Sequence, residues 1–150
     1  MTALIITKYL HFLGILGLAG TLLTENILIS KRMSRGQLRK LSLVDAGYGL
    51  SAMLAVTGGL ILWFGVGKPA AYYHANWIFL SKVGIVTLMG ILSIWPTIFF
   101  LKNGKKTLDQ TEHVSLPAYV LIIVRIQAVL LLLLVPLLAS LMAYGFGAVA

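Results

Sequence analysis

The sequence predicts an all-α integral membrane four-helix bundle, and three observations carry that prediction: an excess of apolar residues, four long apolar segments, and an uneven distribution of basic residues. Of the 150 residues, 59% are hydrophobic and 11% charged, with a mean hydropathy of +0.97, whereas a soluble domain carries about 25% charged residues. Three uncharged runs, Ala46 to Gly67, Val83 to Leu101 and Ile126 to Ala150, each match the roughly 20 residues that cross a hydrocarbon core of ~30 Å. A fourth, Ala3 to Ser30, is interrupted by Lys8 and Glu25. It is too long for a signal peptide and has no small-residue cleavage site before polar sequence, so it is expected to stay in the mature protein.

Taken in order, the helices are expected at about residues 3–30, 35–66, 76–102 and 115–144, joined by short loops into one up-down-up-down domain over residues 1–150. The first is rich in small residues, with Gly14, Gly17, Ala19 and Gly20, and the second has Gly47, Gly49, Gly58 and Gly59. Such residues let backbones approach closely, within one copy or between copies of a homo-oligomer, or let a flat cofactor approach. Ser34 is the expected N-cap of the second helix, and Gly67-Lys68-Pro69 ends it. The following loop holds Tyr72, Tyr73, His74 and Trp77, close to Trp63 and Phe64, a composition that suits an interfacial aromatic belt. Pro96 and Pro136 fall inside the third and fourth helices and should kink them.

The formal charge of +8 does not point to nucleic acid, because eight of the twelve basic residues lie in two loops without aromatic interleaving. Lys31, Arg32, Arg35, Arg39 and Lys40 follow the first helix, and Lys102, Lys105 and Lys106 follow the third, against Lys68 alone in the loop between the second and third. The positive-inside rule then makes loops 1 and 3 cytoplasmic and both termini periplasmic, in a multi-pass protein of a bacterial inner membrane with the lipid bilayer as its partner. The chain has no Cys. That excludes disulfides, thiolate metal sites, Cys nucleophiles and Cys-ligated iron–sulfur clusters.

Function should reside in the ionisable residues that fall within apolar sequence. Arg125 lies in the longest apolar stretch, Tyr119 to Pro136. A lone mid-helix Arg costs about 2.5 to 3.5 kcal/mol, so it is expected to point inward and pair, with Asp45 or Glu25 as partner. On the first helix His11, Gly14, Leu18, Thr21 and Glu25 recur at steps of three and four residues and form one stripe facing the bundle. An imidazole at His11 can ligate a metal or haem, shuttle a proton, or hydrogen-bond a neighbour. Lys82 is expected at a similar depth and invites an internal counter-charge or an anionic ligand, while Lys8 should snorkel to the nearer surface. Met142, on the outer half of the last helix, could complete a His/Met haem, and copper fits less well because no Met-rich motif is present.

Two segments resemble a known family. Thr7-Lys8-Tyr9-Leu10-His11 followed by Ala19-Gly20 is similar to the first helix of HemJ-type protoporphyrinogen oxidases, and Trp77-Ile-Phe-Leu-Ser81-Lys82 is similar to the opening of one of their later helices. Arg39-Lys40 before a helix ending Gly58-Gly59-Leu60-Ile-Leu-Trp63 is similar too. The resemblance extends to CopD-like membrane domains and to an uncharacterised family of small bacterial membrane proteins in the same group. It implies a redox protein holding haem b through His11, with Lys82 and Lys8 meeting porphyrin propionates or an anionic substrate, and a porphyrin or quinone as reaction partner. As an enzyme it would be an oxidoreductase of the protoporphyrinogen oxidase type. HemJ-type proteins place an Asn-Glu pair shortly after the arginine of their last helix. Here Arg125 is followed by Ile126, Gln127, Ala128 and Val129, which leaves Glu25 and Asp45 as the acids within the membrane. The same residues without a chromophore would suit a small transporter or a proton or metal conduit, and used for packing alone they would suit an accessory subunit.

Overall fold

A computed structural model of the protein describes residues 1–105 and 109–147; Lys106, one of the basic residues of loop 3, lies outside the described residues. Helix α1 (Thr2–Leu28) leads into a short strand β1 (Arg32–Ser34) and helix α2 (Arg35–Ile61), whose last turn widens to π geometry at Leu62–Val66. A single-turn helix α3 (Ala70–His74) precedes α4 (Trp77–Asn103). Strand β2 (His113–Ser115) then leads to α5 (Ala118–Val129), a second π segment at Leu130–Leu134, and α6 (Val135–Ala143). Four helical spans, Thr2–Leu28, Arg35–Val66, Trp77–Asn103 and Ala118–Ala143, are long and apolar enough to cross a membrane. Neighbours in sequence pack on one another, and α5 returns against α1 to close the ring.

The contact between α1 and α2 is the most extensive in the bundle, and glycine makes it possible. A Cβ at Gly14 would lie 2.5 Å from the Ala55 backbone nitrogen, and one at Gly58 would lie 2.9 Å from the His11 Cβ. Neither can be accommodated without separating the helices. Gly17 faces Ser51 and Gly47 faces Thr21 in the same antiparallel register, so each residue of α1 has a fixed opposite number on α2.

The two basic loops are stitched together by a ribbon that helical periodicity does not reveal. β1 and β2 pair antiparallel, with Arg32 opposite Ser115, Met33 opposite Val114 and Ser34 opposite His113. The Arg35 and Gly36 amides donate to the Glu112 and Gln110 carbonyls, and the Leu116 amide donates to the Lys31 carbonyl. Met33 plugs the core beneath the ribbon. Ser34 caps α2 as expected, in a reciprocal box: its hydroxyl accepts from the Gln37 amide at 3.2 Å, and its own amide donates to Gln37 Oε1 at 2.9 Å. The first helix therefore stops at Leu28 rather than Ser30, because Ile29 adopts extended geometry on the way to the ribbon. The last span starts at Ala118 rather than Ser115, because residues 113–115 are strand and Pro117 is the N-cap.

The two prolines behave differently. Pro136 sits at the start of α6, directly after the wide turn Leu130–Leu134, which absorbs the hydrogen bond that a proline nitrogen cannot make. Pro96 is fully buried inside α4, which runs on to Asn103.

Two stability tests follow from this packing. Gly14→Val should lower the stability of the detergent-purified protein by about 1–3 kcal/mol through overpacking, while Gly20→Ala, with nothing within 4 Å of the added methyl, should not; thermal unfolding followed by circular dichroism compares them. Arg35 Nε donates to Glu112 Oε2 at 2.6 Å, and this bond with the nearby guanidinium charge holds the Glu112 carboxyl below its ordinary 4.5. A lowered carboxyl stabilises the fold at pH values above 4.5 and loses that contribution as pH falls through its folded value. Unfolding of the wild type should therefore show a downward step in acid that Glu112→Gln lacks, and added salt should shrink the step.

Candidate functional site

The register set by the glycines of α1 and α2 brings Glu25 level with Asp45, near the ribbon end of the bundle. Both are enclosed: Glu25 is 2% exposed and Asp45 5%. From α4, the Thr97 hydroxyl donates to Asp45 Oδ1 at 3.1 Å. Glu25 Oε1 is buried and has no hydrogen-bond partner among the described residues. Tyr48, one turn beyond Asp45 on α2, is buried beside them. No Lys or Arg nitrogen comes within 4.0 Å of either acid among the described residues, where Arg35 with Glu112 is the one ion pair.

A bare carboxylate in such a place costs several kcal/mol. The pair must be neutralised, by a proton or by a cation. The part-buried Asn26 and the buried Gln127 show the contrast. Asn26 Nδ2 donates to the Leu22 and Val124 carbonyls at 2.9 and 3.2 Å, and Gln127 Nε2 donates to the Met89 carbonyl at 2.8 Å. These amides tie helix to helix, whereas Glu25 Oε1 is left without a partner among the described residues.

Arg125 is elsewhere. It was expected to face inward and pair with Glu25 or Asp45, but it is exposed on the outside of the bundle and makes no ion pair among the described residues. The reason is azimuth. Gln127, two residues on and about 200° around the helix, takes the inward position. With α5 starting at Ala118, Arg125 is seven residues, about 10 Å, from the ribbon end of its span.

Towards the opposite end, His11 Nδ1 lies 2.6 Å from the Ala55 carbonyl oxygen, and its ring rests on Gly59. Between His11 and the acids, the interface of α1 and α2 carries the hydroxyls of Ser51, Thr21 and Tyr48, so polar groups line this seam from one half of the span to the other. Lys82 is half-buried with its ammonium 5.8 Å above the Phe79 ring, and no carboxylate meets it among the described residues. Lys8 is exposed and Met142 partly exposed. His74 packs edge-on against Trp63, 5.4 Å between ring centres, and Phe79 does the same at 4.9 Å. Among the described residues no three His, Asp or Glu side chains gather as a metal site.

A model of the family described as "Predicted membrane protein (DUF2214)" matches residues 3–147. The chain belongs to that family. Membership covers all four spans and agrees with the membrane reading of their length and composition. No curated protein and no solved structure matches the chain.

Periodicity placed Glu25 on the inward stripe of the first helix, and the up-down order of the helices puts Asp45, near the start of the second, at the same end. It missed Tyr48, Thr97, Asn26 and Gln127. Tyr48 could have been found three residues from Asp45 on the same face. Thr97 and Gln127 carry no such signal, because their partners lie on other helices.

If the acids serve function rather than packing, the fold does not need their charge. Glu25→Gln and Asp45→Asn should leave thermal stability unchanged or raise it by about 1 kcal/mol, since replacing a poorly compensated buried acid is often neutral or favourable. A loss of several kcal/mol in both would make the pair structural.

Proposed function

We propose that this member of DUF2214 is a proton conduit of a bacterial inner membrane, with Glu25 and Asp45 as its proton-binding groups. The observation that carries this reading is the enclosure of two carboxyl groups at one level of the membrane with no basic partner among the described residues and one oxygen unbonded. A group that must be neutral in hydrocarbon, yet exchanges protons readily in water, picks up and releases a proton as its access to water changes. The Thr97 hydroxyl donates to Asp45, whereas Glu25 Oε1 has no such bond among the described residues and is the oxygen open to a proton. The hydroxyls of Tyr48, Thr21 and Ser51 and the His11 imidazole extend the polar seam towards the far end. By the positive-inside rule the ribbon end, with its basic belt, is cytoplasmic and both termini are periplasmic.

Proteoliposomes with a pH-sensitive dye inside, given a pH step under a clamped membrane potential, test the reading. The wild type should dissipate the gradient faster than empty liposomes; Glu25→Gln and Asp45→Asn should each remove at least 90% of the excess rate, on the order of a tenfold loss, with helicity unchanged. A wild type no faster than empty liposomes, or variants as fast as the wild type, would overturn it.

A second reading, haem b held at His11, is favoured by one feature: the bond to the Ala55 carbonyl fixes Nδ1 as the protonated nitrogen and leaves Nε2 available as an axial ligand. Haem bound there would supply one-electron transfer, as in the HemJ-type proteins that the first helix resembles. An absorption spectrum of the purified protein, oxidised and reduced, should then show a Soret band that His11→Ala loses. A colourless protein purified at full haem supply would leave His11 to the polar seam.

A further inference from the structure

The outward position of Arg125 leaves a guanidinium on the lipid-facing wall of a membrane span, and its surroundings say what it meets. Arg125, Ile126, Val129 and Leu130 line an external groove of about 230 Å³ on the last span. The groove is apolar apart from the arginine itself. Helical side chains slant towards the helix N-terminus, and the N-terminus of α5 is at the ribbon end. The guanidinium therefore leans towards the nearer membrane surface. Arg125 lies seven residues, about 10 Å, from the start of a 26-residue span that overruns a ~30 Å hydrocarbon core by about 4 Å at each end, which leaves it about 6 Å inside the core. An arginine side chain, with a reach of about 6 Å, covers that distance and delivers its charge to the headgroup layer.

Charge complementarity identifies the occupant. The chain has four acidic residues. Glu25 and Asp45 are enclosed in the bundle, while Asp109 and Glu112 lie in the loop beside the ribbon, the latter bonded to Arg35. A second copy of the chain therefore offers Arg125 no carboxylate on its membrane-facing wall. The lipid does offer an anion, the phosphate, whose geometry suits a planar fork of N–H donors. Basic side chains at the same end, Arg39, Lys40, Lys102 and Lys105, are exposed and add a general attraction for negative headgroups.

We propose that Arg125 and its groove form a binding site for an anionic phospholipid, the phosphate on the guanidinium and an acyl chain along Ile126, Val129 and Leu130. The site is independent of the carboxyl pair, which faces the other way.

Native mass spectrometry of the full-length protein in detergent, with phosphatidylglycerol or phosphatidylcholine added at equal concentration, tests it. The wild type should retain phosphatidylglycerol preferentially. Arg125→Gln should weaken that retention about five- to tenfold, and Arg125→Lys should fall between, having the charge without the fork. Val129→Trp, which keeps the charge and fills the groove, should also reduce retention, whereas Lys102→Gln should change it little. Because Arg125 is exposed and makes no ion pair among the described residues, the Gln variant should keep its helicity, and the groove variant supplies a second reading of the site. Equal retention by the wild type and Arg125→Gln would overturn the proposal, as would a loss equally large in Lys102→Gln, which would assign the preference to the basic belt. Displacement of the lipid by millimolar inorganic phosphate would also overturn it, since the groove would then contribute nothing.

Discussion

The close approach of α1 and α2 is the contact on which the rest of the arrangement depends. Gly14 against Ala55 and Gly58 against His11 bring the two backbones together with no side chain between them. In a bilayer, where lipid is as apolar as leucine, packing of this kind and hydrogen bonds hold helices together. The contact also fixes register, and register decides chemistry: it sets Glu25 beside Asp45, Thr21 beside Gly47, and the His11 ring on Gly59. A slip of one turn along this seam would separate the acids by about 5 Å.

The ribbon holds the other pair of connections. β1 and β2 join the loop after α1 to the loop before α5, and the Ser34 box starts α2 at the edge of that ribbon. Because both strands leave helices at the same end, the ends of α1, α2 and α5 are set at a common height. Basic side chains crowd that end, and the Arg35 to Glu112 bond places one loop acid among them. The connections that bring the basic side chains together thus also close the bundle beneath the carboxyl pair.

Polar groups inside the bundle divide into two kinds here. Asn26 and Gln127 give their amide hydrogens to backbone carbonyls on neighbouring helices and so act as fastenings. Glu25 and Asp45 receive one hydroxyl hydrogen bond between them in the described residues, from Thr97. A polar group whose bonds are complete contributes to stability, while one whose bonds are incomplete lowers it. Among the described residues Glu25 Oε1 and the Trp63 indole Nε1 are the buried side-chain atoms left without a partner, and of the two only Glu25 carries an ionisable group.

Helix number, approximate limits and the concentration of positive charge at one end follow from the sequence alone, because hydropathy over 20 residues and charge outside it are summed properties that no tertiary contact needs to arrange. The inward stripe of α1, with Gly14, Leu18 and Glu25, followed from 3.6-residue periodicity for the same reason. Other features were decided by the tertiary structure. The ribbon pairs residues about 80 apart, and three-residue strands leave no periodic signal. Thr97 meets Asp45, and Gln127 meets Met89, through distances set by helix packing. Arg125 shows the limit most clearly: hydropathy gave it a depth and a cost, but on a helix that is apolar on every side periodicity cannot tell inward from outward. The neighbours of α5 made that choice, placing Gln127 inside and Arg125 at the lipid, because an amide can be satisfied by one carbonyl whereas a guanidinium within reach of the surface can be satisfied by leaving the bundle.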